Sequence, residues 1–201
     1  KGTIKVVSEF KPWPVTFKTP GIMGWYGFVP FMECFHGIVS FGHELSGNIE
    51  IEQKKVSFDN AHGYIETDWG KSFPSGYIWM QTNHFDFNPE TSLIASAAII
   101  PWIGKSFRGF IIGLMHEGKL YSWTTYNGAK EVSLKVDDQH VYWTVIGPDG
   151  TLDLRATRNR GGLLHAPLNK DMHRRVEETM DSTVELTLKD QAGKTILKGT
   201  G

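Results

Sequence analysis

Residues 63–85, GYIETDWGKSFPSGYIWMQTNHF, contain two alternating runs of side chains joined by a short connection that includes Pro and Gly. Successive side chains of a β-strand point to opposite faces of the sheet. In the first run this rule places Glu66 and Asp68 on one face and Trp69 on the other. In the second run one face carries mainly aromatic and amide side chains: Tyr77, Trp79, Gln81, Asn83 and Phe85. The stretch therefore predicts a pair of antiparallel strands.

The same period of two recurs along most of the chain, in short runs bounded by Gly, Pro, Asp or Asn, as in antiparallel sheets. Turn sequences such as Glu117-Gly118 lie where hairpins need them. One segment differs, because residues 169–181, NKDMHRRVEETMD, space Met172, Val176 and Met180 four apart and predict a short helix. About a dozen strands in one domain protect their edges most economically by closing on themselves. We therefore expect an all-β fold, an antiparallel β-barrel with one short helix near 169–181.

Composition restricts the classes of function. The 201 residues include 21 Lys and Arg and 22 Asp and Glu, a net charge of −1, so bulk charge does not indicate a nucleic-acid partner. Cys34 is the only cysteine, which excludes an internal disulfide. The most apolar run, residues 93–104, is shorter than the roughly 20 residues of a membrane-spanning helix. We expect no transmembrane segment and a cytoplasmic location.

Residues 1–30 differ from the rest of the chain because they are rich in Pro and Gly. Such a segment is typical of an irregular lead-in or of a linker from an upstream region. The chain also begins with Lys rather than Met, which indicates a fragment. We therefore expect a lead-in at 1–30 and a β-barrel domain at 31–201.

The carboxylate pair Glu66 and Asp68 allows two interpretations. On a solvated face both are surface groups, and Ile65 and Trp69 supply the core contacts. In a cavity, desolvation and like-charge proximity raise one pKa, which makes a general acid available near neutral pH. The aromatic and amide face of the second run favours the cavity, because rings give apolar contacts and amides orient a ligand. The alternative for that second run is that Trp79 and its neighbours cover an exposed sheet face.

Other chemistry has less support in the sequence. Four histidines at positions 36, 43, 62 and 84 lack the tight spacing that commonly marks zinc or non-haem iron ligands, so we predict no metal site. Cys34 has no signature of a nucleophile and is expected to be a buried packing residue. Ser72 and Ser75 lack the G-x-S-x-G context of serine hydrolases, and no Gly-rich phosphate loop precedes a helix.

Four stretches, taken in order, resemble the tocopherol cyclase family. They are ECFHGIVSFGHELSG from Glu33, GYIETDWGKSFPSGYIWMQTNHF from Gly63, YSWTTYN from Tyr121 and LLHAPL from Leu163. The resemblance runs from about Trp25 to the C-terminus and corresponds to the C-terminal part of the family's sequence. It implies a lipocalin-like β-barrel, as in the related carotenoid hydratase and AttH-like proteins with two such lobes, and hence a missing N-terminal lobe.

The resemblance implies a cyclase that protonates an alkene in a prenyl tail and lets a phenol oxygen capture the cation, without a cofactor. The family pattern makes Glu66 the first choice for proton donor, with Asp68 or His84 tuning it. The candidate substrate-binding residues are Trp69, Tyr77, Trp79, Gln81, Asn83, His84, Glu33 and His36. The expected partner is a hydrophobic small molecule: a prenylated phenol, a terpenoid or a lipid. The chain departs from the plant cyclases at Thr67, Asp68 and His84.

Three functions stay open at this point. The first is an enzyme for acid-catalysed cyclisation, hydration or isomerisation of an isoprenoid or phenolic compound. The second is a carrier or sensor that binds an apolar ligand and does no chemistry, as lipocalin-like proteins commonly do. The third is a carbohydrate-binding sheet, for which exposed Trp, Asn and Gln are equally suitable, although here the aromatic residues have apolar neighbours.

Overall fold

The computed structural model describes residues 1–201, except for the side chains at 173–175. Among the described residues there is one short 3₁₀ helix, Gly24–Phe28, and all other regular structure is β-strand. The strands in chain order are β1 (Gly2–Val6), β2 (Cys34–Ile51), β3 (Lys54–Ser57), β4 (Ala61–Gly70), β5 (Tyr77–Thr82), β6 (Ser92–Trp102), β7 (Lys105–His116), β8 (Lys119–Thr124), β9 (Lys130–Val136), β10 (His140–Gly147), β11 (Gly150–Thr157), β12 (Gly162–Leu168), β13 (Asp171–Glu178), β14 (Val184–Lys189) and β15 (Thr195–Thr200). The predicted all-β antiparallel fold is confirmed.

The strands form three sheets and a separate hairpin. In sheet I the long strand β2 pairs with β1 on one edge and with β3 and β4 on the other. Sheet II has the order β5-β6-β7-β8, sheet III has the order β15-β14-β11-β10-β9, and β12 pairs with β13 alone. No pairing among the described strands closes any of these sheets into a barrel. Two sheets packed face to face bury the same alternating apolar faces that a barrel buries, so the period of two alone does not distinguish them.

Sheet II is the middle layer and is buried on both faces along part of its length. Residues 92–95 of β6 are all buried, which explains why the run 93–95 is continuously apolar rather than alternating. One face of sheet II packs against sheet III around two fully buried indoles, Trp123 and Trp143. The indole N–H of Trp123 donates to the carbonyl of Gly150 at 2.9 Å, so this buried polar group is satisfied. The main apolar core therefore lies between sheets II and III.

A second, smaller core lies between the opposite face of sheet II and sheet I. It contains Trp13 and Ile22 from the N-terminal segment, together with Phe41 of β2 and Ile94 of β6. Trp13 lies directly on β7, because a Cβ added at Gly113 would come within 2.3 Å of its ring. Trp13 and Ile22, which belong to the first thirty residues, are thus buried against the sheets.

The helix predicted at residues 169–181 is wrong, because the structure has a β-hairpin there. Residues 162–178 form the hairpin β12–β13, and its turn residues Asn169 and Lys170 have φ values of 51° and 76°. Such positive φ values are typical of the tight turns that match the twist of hairpin strands. The spacing of four between Met172 and Val176 is a multiple of the strand period, so it places both on one strand face as readily as on one helix face. The apolar pattern was therefore compatible with both structures.

The predicted hairpin turn at residues 117–118 is confirmed. Glu117 and Gly118 have φ values of 49° and 77°, and they connect β7 to β8 with His116 opposite Lys119. In the part of the chain that the structure describes, no helix has the length and apolar character needed to cross a bilayer.

Candidate active site

A cavity of about 330 Å³ lies between sheet I and the face of sheet II that is turned away from the main core. Sheet I contributes acidic and imidazole groups, and sheet II contributes aromatic and small side chains. The hairpin β12–β13 and the segment around the 3₁₀ helix form the remaining walls, with Leu164 and Val176 from the hairpin and Met23 and Tyr26 from the segment. The volume falls at the lower end of the range typical of small-molecule sites.

Small residues on sheet II leave room for the cavity. Ala98 of β6 pairs with Tyr77 of β5 on one side and with Gly109 of β7 on the other. All three line the cavity, as does Ser96. A Cβ at Gly109 would approach a side-chain carbon of Ile100 to 3.1 Å, so this position is already tight without a side chain. The cavity therefore depends on small side chains at the centre of an otherwise well-packed sheet.

The acidic wall is built by the register of β2 against β4. His36 lies opposite Asp68, and Ile38 lies opposite Glu66. The Nδ1 atom of His36 is 2.7 Å from Oδ1 of Asp68, and its Nε2 atom is 3.7 Å from Oε2 of Glu66. The same Oε2 atom accepts a hydrogen bond of 2.6 Å from the hydroxyl of Tyr64. The predicted common face of Glu66 and Asp68 is confirmed, and it faces the cavity.

Burial raises the pKa of the Glu66 carboxyl above its ordinary value. The hydrogen bond from Tyr64, the charge of His36 and the nearby indole N–H of Trp79 oppose this effect, and the charge of Asp68 adds to it. Desolvation is the largest cause, so the net direction is upward. Desolvation and the Glu66 charge likewise raise the pKa of the Tyr64 hydroxyl, which keeps that hydroxyl protonated as a donor.

The imidazole of His36 is biased towards its charged form. Burial lowers its pKa, but the hydrogen bond to Asp68 and the charges of Asp68 and Glu66 together outweigh burial, so the pKa is raised. Beside it, burial and the charges of Asp68 and Glu33 raise the pKa of the Cys34 thiol to about 12. A thiol with this pKa is a poor nucleophile. Cys34 is only partly buried and lines the cavity, so the expected burial in the core is not found.

Two aromatic side chains of β5 form the wall of sheet II next to the acid. The indole N–H of Trp79 is buried and has no hydrogen-bond acceptor among the described residues, although its dipole lies near enough to Glu66 to favour the ionised carboxyl. The hydroxyl of Tyr77 donates to Oε1 of Glu178 at 3.0 Å, which ties β5 to the hairpin β12–β13. Glu66 therefore lies at a partly buried position of the cavity wall, with the indole N–H of Trp79 nearby.

The structure brings six of the ten predicted site residues into the cavity wall. These are Glu33, His36, Glu66, Asp68, Tyr77 and Trp79. The other four lie outside it. Trp69 is on the opposite face of β4, where it is exposed and stacks on Phe35 with ring centroids 5.7 Å apart. Gln81 and Asn83 lie farther along β5 and beyond its end, and His84 is exposed.

Sequence reasoning missed several wall residues. Tyr126 donates its hydroxyl to the carbonyl of Ile22 at 2.7 Å, and burial raises its pKa to about 12. Tyr126 belongs to YSWTTYN, and Leu164 and His165 belong to LLHAPL, so two of the stretches that carried the family resemblance did hold the signal. Glu178 had no such signal, because the expected helix placed it in a different structure.

The same acidic wall contains the described residues that could jointly bind a metal ion. One ligand atom each from His36, Glu66 and Asp68 lie within 4.8 Å of one another. His36 is on β2 and the two carboxylates are on β4, so these residues are far apart in the sequence and their spacing does not predict the group. The hydrogen bond between His36 and Asp68 already accounts for the proximity of two of the three.

Comparison with known proteins identifies the family. The sequence profile of the family described as "Tocopherol cyclase-like" matches residues 7–201, which is nearly the whole chain. The chain belongs to the tocopherol cyclase-like family. The expected resemblance is thus confirmed, and the match includes every wall of the cavity.

Curated relatives of this tocopherol cyclase-like chain come from plants. A "Probable tocopherol cyclase, chloroplastic" of Oryza sativa subsp. japonica is 32% identical over 117 residues, which are 57% of this chain and 25% of the relative. A "Tocopherol cyclase, chloroplastic" of Zea mays is 30% identical over 108 residues, 52% of this chain and 23% of the relative. The matched part of the chain thus spans about a quarter of each relative's length. No solved structure matches the chain.

Proposed function

We propose that the chain carries the active site of an acid-catalysed cyclase that acts on a hydrophobic phenol with an unsaturated prenyl tail. The observation that carries this proposal is Glu66, a partly buried carboxyl with a raised pKa that lines a largely apolar cavity together with Trp79. Family membership supports a cyclase-type reaction. A carboxylic acid that is neutral near the working pH is the group that protonation of an alkene requires.

The reaction balances with the groups of the cavity. Tyr64 and His36 both approach Oε2 of Glu66. In this proposal Oε1 holds the proton. Transfer of that proton to one alkene carbon leaves a tertiary cation on the other. The phenol oxygen of the same substrate bonds to the cation, and its proton returns to the carboxylate. The product is an isomer of the substrate, and the enzyme ends in its starting state without a cofactor.

The walls of the cavity suit the charges that develop during this reaction. The ring faces of Trp79 and Tyr77 attract a cation, an effect of about 2 kcal/mol at a dry site. His36 is held by Asp68, so its charge remains close to Glu66 and stabilises the carboxylate that forms when the proton leaves. Asp68 therefore acts through His36 in this proposal. Glu33 is a polar wall residue available for the phenol, whereas contacts of Trp69, Gln81, Asn83 and His84 with substrate remain predictions.

The decisive variant is Glu66→Gln, which keeps the shape of the side chain and removes the acidic proton. We expect turnover of a prenylated hydroquinone to fall by about 100- to 10,000-fold, the usual contribution of a general acid. Glu44→Gln and Glu50→Gln are matched controls, because both carboxyls belong to β2 of the same sheet, are exposed and do not line the cavity. They should retain most of the activity. Product is measured by chromatography with mass detection of the ring-closed isomer.

Two results would contradict this role of Glu66. Turnover by Glu66→Gln equal to that of the unchanged chain would remove Glu66 as the acid. Loss of activity on chelation, restored by adding a divalent ion, would instead assign His36, Glu66 and Asp68 to a metal.

A carrier of apolar ligands is the second candidate, because the walls contributed by sheet II and the hairpin are mainly apolar. A carrier predicts tight binding of a prenylated phenol, no conversion by the unchanged chain, and the same affinity in Glu66→Gln.

We also retain as proposals the lipocalin-like barrel, the division near residue 30 and the additional N-terminal lobe that the family resemblance implies. Support for the barrel comes from the single core that sheets II and III share.

A further inference from the structure

One face of the protein exposes large apolar side chains from two separate segments, and we call it the aromatic face. It consists of Trp25, Phe31 and Ile103 around Trp102. Phe28, in the first of these segments, and Phe17, just before it, are also exposed. The rings of Trp25 and Phe31 lie 6.1 Å and 5.3 Å from that of Trp102. Phe17 is 95% exposed and Ile103 is 79% exposed. Such a concentration of exposed rings on one face marks an interaction surface.

The residue at the tip of the β6–β7 hairpin is unfavourable for the fold. Trp102 pairs with Lys105, so Ile103 and Gly104 form a two-residue turn with φ values of 43° and 74°. This turn favours Asn-Gly, and a β-branched residue in the left-handed region is a strained exception. Ile103 also gains little from burial, because it is exposed. A strained and exposed isoleucine serves neither the turn nor the core, which points to a contact outside the chain.

The charge beside the hairpin tip of the aromatic face is positive, because Lys105 follows Ile103 and Gly104, whereas Glu33 follows Met32 and lines the cavity. Residues 11–32 contain Lys11 and Lys18 but no Asp or Glu, and residues 92–115 contain Lys105 and Arg108 but no Asp or Glu. Arg108 is paired with Glu131, whereas Lys18 follows Phe17 and Lys105 follows the hairpin tip. Rings flanked by lysines are typical of surfaces that insert between lipid headgroups, with anionic lipids attracting the lysines.

The aromatic face is continuous with the cavity. The rings of Tyr26 and Phe107 lie 5.7 Å and 6.0 Å from Trp102, and both also line the cavity, as does Pro101. An apolar ligand dissolved in a bilayer would therefore pass from the lipid along protein side chains into the cavity without crossing water. We propose that the aromatic face docks on the surface of a lipid bilayer that contains anionic headgroups, with Ile103 at the hairpin tip inserted. This proposal does not depend on the role of Glu66.

The test is cosedimentation of the 201-residue chain with vesicles of phosphatidylcholine alone and of phosphatidylcholine mixed with phosphatidylglycerol. Ile103→Asn suits the turn better, so it should unfold at the same or a higher temperature and yet bind the mixed vesicles about tenfold more weakly. Lys105→Gln should weaken binding to mixed vesicles about fivefold and change binding to phosphatidylcholine little. Val132→Asn on β9 removes an exposed apolar side chain of another sheet, and Glu66→Gln alters the cavity; both should bind as the unchanged chain does.

Several outcomes would overturn the proposal. The first is that the unchanged chain binds neither type of vesicle. The second is that Ile103→Asn binds as tightly as the unchanged chain. If the chain instead forms dimers in sedimentation velocity that Ile103→Asn disrupts, and no vesicle is bound, the aromatic face is an interface between copies. If a longer natural form fails to bind vesicles although this chain binds them, the rest of that protein covers the face.

Discussion

Replacing two neighbouring alanines of β6 by leucine tests whether the cavity exists as described. Ala97 and Ala98 point to opposite faces of sheet II. Ala97 is buried in the core between sheets II and III, whereas Ala98 lines the cavity. The same chemical change is thus made in a filled space and in an open one. The two variants have the same substitution at neighbouring positions of one strand, so backbone propensity affects both alike. A difference in their free energies of unfolding therefore shows which face of the strand has room for the larger side chain.

The expected effects have opposite signs. Ala98→Leu adds three carbon atoms next to a cavity of about 330 Å³. At about 0.8 kcal/mol for each buried carbon, less about 0.5 to 1 kcal/mol of side-chain entropy, the free energy of unfolding should rise by about 1.5 to 2 kcal/mol. Ala97→Leu forces the same atoms into a close-packed core and should lower it by about 1 to 3 kcal/mol. The two variants should therefore differ by about 2.5 to 5 kcal/mol.

Urea unfolding followed by tryptophan fluorescence measures both free energies. A second readout is the binding of a fluorescent apolar dye such as anilinonaphthalene sulfonate to the folded chain, which should fall in Ala98→Leu because the added side chain occupies the cavity. Equal destabilisation by both variants would refute the reasoning, because it would mean that the space beside Ala98 is already filled. A stabilised Ala98→Leu with unchanged dye binding would place the dye elsewhere.

Two further predictions concern the pH dependence of stability. The pKa of Glu66 is higher in the folded chain than in the unfolded chain, so its stabilising effect is complete below the unfolded pKa and is lost as pH rises through the folded pKa. The difference in unfolding temperature between Glu66→Gln and the unchanged chain should therefore become more favourable to the variant as pH rises from acid to neutral. If this difference were the same at every pH, the raised pKa would be contradicted. Tyr64→Phe removes the hydrogen bond that lowers the pKa of Glu66. It should move this loss of stability to higher pH in the same melting experiments, and a shift to lower pH would count against the hydrogen bond.

The faces of the strands were predictable from the sequence, because alternation is a local property. Glu66 and Asp68 were expected on one face of β4 and Trp69 on the other, and the structure agrees. The partners across the strands were not predictable. His36 meets Asp68 only because β2 and β4 pair in one particular register, and a slip of one residue would turn His36 away from that face. The ion pair at the centre of the site is therefore a product of tertiary pairing.

The helix expected at 169–181 failed for a related reason. A spacing of four residues fits both the helix period and the strand period, so the decision depended on what the segment packs against. The structure pairs it with β12, whose sequence LLHAPL was already part of the family resemblance. The same ambiguity applied to the barrel, since alternation shows that a strand has one buried face but not which sheet covers it.

The role proposed for Glu66 as a general acid connects catalysis with the stability of the fold. A general acid needs low hydration to hold its proton near neutral pH, and burial of an ionisable carboxyl costs folding free energy. In this protein the ionisable group lies at the cavity wall, between sheets I and II, while the largest apolar core lies on the other face of sheet II. Because Glu66 is on β4 of sheet I, its desolvation does not weaken the largest apolar core, which lies between sheets II and III. Changes on the cavity face, such as Glu66→Gln or Tyr64→Phe, should accordingly alter the proton affinity of the site without unfolding the chain.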